Sequence, residues 1–372
     1  MLEIREGDFE AFFQAPFNAY GHDTLYVSPL RSDLHRFLSR SENPLFAVGN
    51  ERAYFSVHRD GKPIGRITAH VHAASNQRHG TNRAYFGYFD CADDQAAADA
   101  LLGRAEDWAR QRGFDELIGN FNLTAMQQVG IMTDGFGHAP YTDQVYSPPH
   151  VMRLLENAGF QPEFPMTTVE MDLLAVDPDR LLGPKQRALL ASGEYSFAPV
   201  NRRTLDRRME DARTILNASF SDNPMFVPVS AEEFAFQAKE MKLIIDPRIS
   251  VVVEHRGETV GAIIVIPDLN PFVRAIGGRY GLTTPWHYVK YRLTRRRAVI
   301  IFQGVLPAFQ GEGVNPLMLH HVAGALKQAG YHSVGGTWIA DVNKPSLRQA
   351  EKAGARPLHR LHLYRKDLRH AR

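Results

Sequence analysis

At 372 residues the chain is longer than one hydrophobic core usually organises, so two domains of roughly 150 to 200 residues each are expected. Apolar residues at 44% and charged residues at 23% exclude a disordered chain. The balance of 43 basic against 41 acidic side chains argues against nucleic acid as the main partner.

A single cysteine, Cys91, rules out an intramolecular disulfide framework and a multi-cysteine zinc site, which fits a reducing, cytoplasmic setting. The first residues, MLEIREGDFEAFFQAPF, lack the basic start and cleavage site of a signal peptide. No apolar run approaches the roughly 18 residues needed to span a bilayer.

Alternating and continuous apolar runs predict strands at 52–58, 63–72 and 83–89, the first two joined by the turn Asp60-Gly61. Ala98, Leu101, Leu102, Ala105, Trp108 and Ala109 recur at helical spacing and Gly113 supplies a stop, so 94–112 is a helix. A short strand follows at 116–119. The stretch 120–149, rich in Gly, Asn, Tyr and Pro, reads as a long, ordered functional loop. A helix at 151–158 and a strand at 167–173 complete a first domain, 1–176.

Weak periodicity with repeated Pro and Gly marks 177–200 as a linker, after which the same grammar repeats through a second domain, 201–372. Helices are predicted at 205–218 and 231–241, and strands at 250–255, 259–267 and 297–306. A loop at 307–313 leads to a helix at 316–328, a strand at 333–339, a helix at 345–353 and a last strand at 358–366. Strand-rich runs enclosing single helices indicate mixed α/β domains, each a mostly antiparallel twisted sheet flanked by helices.

The strongest local signal is the run from Val305 to Pro316, Val-Leu-Pro-Ala-Phe-Gln-Gly-Glu-Gly-Val-Asn-Pro, between a buried strand and an amphipathic helix. Its glycines permit unusual backbone angles, so successive N–H groups can point at a pyrophosphate while the helix start adds its positive end. At this point the sequence resembles the GNAT acyltransferase superfamily, whose signature is Arg or Gln, two residues, Gly, one residue, then Gly or Ala. Gln310, Gly313 and Asn315 occupy those slots, with Asn a departure from the small residue. Asn343, followed by a short helix ending at Gly354, fits the rest of the pattern.

The resemblance implies acyl-CoA as co-substrate, held by Val305, Leu306, Gln310, Gly311, Gly313, Val314, Asn315 and Asn343. It also implies a strand that splays from its neighbour near Val305 and receives the pantetheine arm. The matching turn of the first half, Asp90 to Asp94, has three carboxylates and no glycine, and this half is expected to have lost coenzyme binding and to shape the acceptor side. The whole chain is similar to the two-domain bacterial YghO-like proteins, through Gly119-Asn120-Phe121-Asn122, Asp134-Gly135-Phe136, Tyr146 to His150 and Pro267 to Asn270. That similarity implies transfer of a long fatty acyl group to a sphingoid-type amine, as in bacterial ceramide formation.

The acid and base common in GNAT enzymes are replaced by Gln303 and Ala350. Substitutes are Asp341, before Asn343, and Asp134 and Tyr146 in the first half's loop, with Asn122 and Tyr141 as substrate contacts. An alternative is a non-catalytic, acyl-CoA-sensing module. Sixteen histidines include His70 and His72 on one strand face, but no carboxylate or cysteine stands at ligand spacing and no metal is expected. The cluster from Lys290 to Arg297 interleaves aromatics with five positive charges. It reads as solvated surface or as a contact for anionic lipid at the inner membrane or for an acyl carrier protein.

Overall fold

The computed structural model describes residues 1–369 apart from 199, 202, 222 and 224. The chain forms two compact units. One comprises 1–167, 270–287 and 358–372, and the other 168–269 and 288–357. The expected division at 177–200 is thereby corrected. That segment holds a helix and a strand of the second unit, and the C-terminal strand returns to the first. Proline and glycine here cap short elements, a role that composition does not separate from a linker.

The first unit begins with β1 (Leu2–Glu6), α1 (Phe9–Tyr20), α2 (Arg31–Leu38), β2 (Arg52–Arg59), β3 (Lys62–His70), α3 (Ala73–His79) and β4 (Arg83–Cys91). It continues with α4 (Gln95–Arg110), β5 (Glu116–Gly119), β6 (Ile131–Asp134) and α5 (Pro149–Asn157), and β7 (Gln161–Asp172) leads into the second unit. There follow α6 (Pro184–Ala191), β8 (Tyr195–Ala198), α7 (Leu205–Ser219), α8 (Ala231–Ile244), β9 (Val251–His255) and β10 (Glu258–Pro267). Then come α9 (Asn270–Ala275), α10 (Thr284–Thr294), β11 (Arg297–Val305), α11 (Val314–Gln328), β12 (Ser333–Ala340), α12 (Lys344–Lys352) and β13 (Ala355–Asp367).

In the first unit β1, β2, β3 and β4 form an antiparallel meander, β4 pairs β5 in parallel, and the end of β13 pairs β5 and β6 antiparallel. Alternate residues serve the two faces. Phe55, Val57, Ile67 and Phe86 pack under α4 and α5, whereas Tyr54 and Tyr88 meet Phe12 and Phe13 of α1. Asp8 caps α1 through the Ala11 N–H at 3.0 Å, a start signal of the usual acidic type.

In the second unit the order is β8-β9-β10-β11-β12, antiparallel except for β11 with β12. Val251, Val253, Ile263 and Val265 pack on α11, and the intervening Val252, Ala262 and Ile264 pack toward α7. Both units thus place one parallel strand pair inside an antiparallel sheet covered by helices, the mixed α/β architecture read from the sequence.

The parallel pairs are short and then part. β4 pairs β5 only from Arg83↔Glu116 to Phe86↔Gly119, and β11 pairs β12 only from Arg297↔Ser333 to Ile300↔Gly336. In each unit a bulge interrupts the antiparallel pairing on the other side of the same strand, at Arg66/Thr68 and at Ile264/Val265. At the first split the chain is so close that a Cβ on Gly87 would lie 1.7 Å from the Phe121 carbonyl oxygen.

Gly87→Ala should therefore cost about 3 kcal/mol or more, because backbone must move. Gly103→Ala, within α4 and with nothing inside 4 Å of its would-be Cβ, should instead add about 0.5–1 kcal/mol. Urea unfolding midpoints of the two variants against the parent measure both.

Candidate functional site

Two sites emerge, one at each strand split. In the second unit, pairing of β11 with β10 puts the backbone of Gly304 and Phe302 toward β10, and Leu306 N–H donates to the Val260 carbonyl at 2.9 Å. By alternation the backbones of Gln303 and Val305 face the gap on the other side. The Gln310 amide donates to the Val305 carbonyl at 3.2 Å, tying the loop back to the strand. A single 3₁₀ turn, Pro307–Phe309, then delivers the chain to Gly311 and Gly313, at φ +79° and +96°, and so to α11.

Among the described residues the backbone N–H groups of Gly311, Gly313, Val314 and Asn315 have no hydrogen-bond partner. Four orphan donors at the start of a 15-residue helix with no side-chain cap make a positive, anion-accepting corner. A cation stands beside it. Lys185 on α6 donates to the Gly311 carbonyl at 3.3 Å and pairs with Glu312 at 3.1 Å. These groups fit a diphosphate.

The two glycines differ in their surroundings. A Cβ on Gly313 would lie 2.8 Å from Gln186 Nε2 and 3.4 Å from Leu189 Cδ1, so α6 itself makes the close approach there. Nothing comes within 4 Å of the corresponding point on Gly311, which is the open face. Asn315 turns its carboxamide oxygen toward the Gln303 amide at 3.4 Å. Asn343 caps α12 by accepting from Ser346 N–H at 3.2 Å, and Asp341 lies half-buried in the turn after β12. Lys185 and Gln186 escaped sequence reading because 177–200 lacks a clear helical period.

In the first unit the split is plugged by the chain's own side chains. Tyr88 N–H donates to Asn122 Oδ1 at 2.7 Å and Phe89 N–H to Asn120 Oδ1 at 3.1 Å, while the Asn120 amide donates on to Asn122 at 3.1 Å. The backbone groups that a pantetheine arm would use are taken. The acidic turn is likewise occupied: Asp94 caps α4 through Ala97 N–H at 3.2 Å and pairs with Arg59, and Asp93 pairs with Arg153.

Beside the plug lies a small cavity of about 50 Å³, lined by Tyr26, Arg66, Asp90, Asn122, Tyr146 and Asn270 among others. Its floor is the buried pair Arg66–Asp90 at 2.8 Å, with Arg66 also donating to the Tyr26 hydroxyl at 2.8 Å and Tyr20 donating to Asp90 at 2.8 Å. Arg66 and Asp90 sit opposite one another on β3 and β4, a pairing across strands that reading one strand at a time does not reveal.

Of the residues predicted in this half, the cavity brings together Asn122 and Tyr146. Burial raises the pKa of the Tyr146 phenol, opposed by Arg274 and the Thr24 hydroxyl, so the phenol stays a donor. Tyr141 is fully buried, with its N–H on Gln144 Oε1 at 3.0 Å. Asp134 is exposed at the end of β6, accepting from Gly135 N–H at 2.8 Å, and does not line the cavity.

The turn 141–144 supplies a group that sequence reading passed over. Gln144 N–H closes it on the Tyr141 carbonyl at 3.0 Å, with Asp143 at φ +69°. No hydrogen bond or ion pair reaches the Asp143 carboxylate among the described residues, and loss of solvent raises its pKa from 3.8 to about 7. Its charge acts on the phenol of Tyr88, which lines the cavity.

Between those two values the folded chain holds a proton that the unfolded chain lacks. Stability must therefore fall as pH rises from about 4 to about 7 and level off above. Asp143→Asn removes this term, so its melting temperature should match the parent near pH 4, exceed it increasingly up to pH 7 and keep a constant lead beyond. Calorimetric scans across that range test the sign.

The comparisons with known proteins bear on the fold. No family model matches the chain. It is 24% identical to Protein YghO of Escherichia coli (strain K12), over 98% of this chain and 94% of that one. It is 26% identical to Bacterial ceramide synthase of Caulobacter vibrioides (strain NA1000 / CB15N), over 97% and 95%. Among solved structures, a tandem GNAT protein from the clavulanic acid biosynthesis pathway superposes with a TM-score of 0.60 at 14% identity, covering 100% of both chains. A GCN5-related N-acetyltransferase from Sphaerobacter thermophilus gives 0.56 at 14% identity, covering 99% and 96%.

Proposed function

This chain has the tandem GNAT fold, and from that premise we propose that it is an acyl-CoA-dependent N-acyltransferase whose second unit holds the coenzyme and whose first unit takes the amine. The observation that carries the reading is the corner formed by the unpartnered N–H groups of Gly311, Gly313, Val314 and Asn315 beside Lys185. A diphosphate satisfies those donors, and the gap-facing backbone of Gln303 and Val305 offers the pantetheine arm a strand edge. Acyl-CoA supplies the activated carbonyl; the chain binds and orients it. The single buried cysteine supports a reducing, cytoplasmic location.

The printed name of the Caulobacter relative supports a finer proposal, a long fatty acyl group transferred to a sphingoid-type amine. The first unit's cavity suits the head of such an acceptor. The Tyr146 phenol in its lining is a partner for an amine flanked by hydroxyls, beside carboxamides of Asn122, Gln128, Gln144 and Asn270 that are bonded within the chain. Asp143, half-ionised near neutral pH, is proposed to draw the ammonium and relieve it of its proton, the role for which Gln303 and Ala350 are chemically unfit.

Release of free CoA thiol from acyl-CoA of graded chain length, with and without sphingoid amines, is the direct measurement. Gly311→Asp places a carboxylate at the open face of the corner and should weaken acyl-CoA binding at least tenfold, with a modest fall in melting temperature from the left-handed φ of +79°. Unchanged affinity would remove the loop from the site. Binding of acyl-CoA without turnover for any amine would favour the non-catalytic, acyl-CoA-sensing alternative.

Tyr146→Phe keeps the ring and deletes the hydroxyl. Turnover should fall roughly 10²-fold at unchanged acyl-CoA affinity if the phenol serves the acceptor. A fully active variant would make Tyr146 a packed aromatic.

A further inference from the structure

The turn before α10 and α10 itself carry an apolar stripe that faces water. Leu282 is 102% exposed, Trp286 70%, Val289 52% and Leu293 72%, at spacings of four, three and four that align them on one side of the helix. Of the eight large hydrophobic side chains most exposed among the described residues, these four and Tyr280 make five. The opposite side of α10 is conventional, with Tyr291 buried. A concentration of this kind on one short segment marks a surface built to be covered.

The charges around the stripe identify what covers it. No acidic residue occurs between Asp268 and Glu312, while the same stretch holds seven Arg and Lys. Several are committed: Arg279 pairs with Glu10, Arg295 with Asp246 and Arg297 with Asp268. Lys290, Arg292 and Arg296 are exposed and form no ion pair among the described residues. Lys290 follows Trp286 by four residues and precedes Leu293 by three, so it borders the stripe. Tyr288 stacks under the Arg292 guanidinium, 6.0 Å from ring centre to carbon.

An apolar edge of Leu, Trp and Val, flanked by unpaired cations and tyrosines, matches the boundary between acyl chains and anionic headgroups. We infer that α10 and the turn before it dock the protein on an anionic lipid bilayer, with Leu282, Trp286, Val289 and Leu293 entering the acyl region and Lys290, Arg292 and Arg296 meeting the headgroups. Among the described residues no helix is long and apolar enough to cross a membrane, and this contact is peripheral. The surface is read from exposure and charge alone and stands apart from the acyl-transfer reading.

The test is co-sedimentation of the full chain with vesicles of phosphatidylcholine alone and of phosphatidylcholine with phosphatidylglycerol. Binding is expected only with the anionic lipid, weakening as salt rises. The triple variant Lys290→Gln, Arg292→Gln, Arg296→Gln should lose on the order of 10²-fold in vesicle affinity, at about fivefold per cation. The pair Trp286→Ser, Leu293→Ser should lose binding at low salt too. Because all five side chains are exposed, melting temperatures should stay at the parent value. Quenching of Trp286 fluorescence by brominated lipid gives a readout independent of sedimentation. Absence of binding to anionic vesicles, parental affinity in the triple variant, or capture of an acidic acyl carrier protein by these residues without vesicle binding would each overturn the inference. Loss of vesicle binding with CoA release intact in detergent-dispersed substrate would leave catalysis standing and confirm the docking surface.

Discussion

Everything in this protein depends on two parallel strands being pulled apart after four residue pairs. A strand edge opened inside a sheet exposes N–H and C=O groups that must find partners, because an orphaned backbone group away from water costs as much as a lost hydrogen bond. The first unit satisfies them internally. Asn120 and Asn122 insert their carboxamides where a strand would pair, Tyr88 takes a left-handed φ of +48° to present its N–H, and Gly87 lets the Phe121 carbonyl approach. In the second unit Gln303 and Val305 turn their backbones into the gap, and the Gln310 amide meets the Val305 carbonyl. One architecture thus appears in a filled and an open version, which is a physical basis for division of labour between the halves.

The loops that follow the two split strands repeat the contrast. After β4 the chain enters α4 through Asp93 and Asp94, which serve a cap and two ion pairs and set negative charge where a phosphate would lie. After β11 it enters α11 through two glycines at positive φ, with no side-chain cap. The helix starts are alike in dipole; what differs is whether a carboxylate already caps the first N–H groups, as Asp94 does on α4, or is drawn aside, as Glu312 is by Lys185. Helix α6 adds a constraint on the open version, since its Gln186 and Leu189 limit approach at Gly313 and its Lys185 brings charge to Gly311.

Much of this layout was legible in the sequence because strands and helices advertise themselves by period. The hairpin turns at Asp60-Gly61 and Arg256-Gly257 and the run from Gln310 to Pro316 name their own geometry, with Asp60 and Arg256 at φ +51° ahead of their glycines. Other features lie beyond what a linear reading carries. Leu358 to Lys366 reads as a last strand of the second half, yet it pairs with β5 and β6, a choice made by tertiary contact. Residues 177–200 read as linker because α6 is short and amphipathic only weakly. The loop 120–149 was recognised by its length, but its content divides by role: Asn120 and Asn122 are plugs, Tyr141 is packed, and Tyr146 borders a cavity. Arg66–Asp90 is invisible without knowing that β3 lies beside β4. Asp143 gave no signal at all, since a single Asp in a polar turn is ordinarily solvated.

The cost of Asp143 is the more telling for that reason. A carboxylate partly shielded from water without an ion pair destabilises the fold at neutral pH, and its φ of +69° adds strain. Two such costs at one position seldom persist where packing alone is served, because an asparagine would fit the same turn and relieve the charge. The neighbouring carboxylate Asp90 shows the alternative, held by Arg66 and Tyr20 and so committed to structure. A carboxylate in an ion pair keeps its charge and is a poor proton acceptor near neutrality, whereas one raised to about 7 exchanges its proton readily there. The division between a pinned carboxylate in the cavity lining and an unpaired one in the adjoining turn 141–144 separates holding the structure together from exchanging a proton near neutrality.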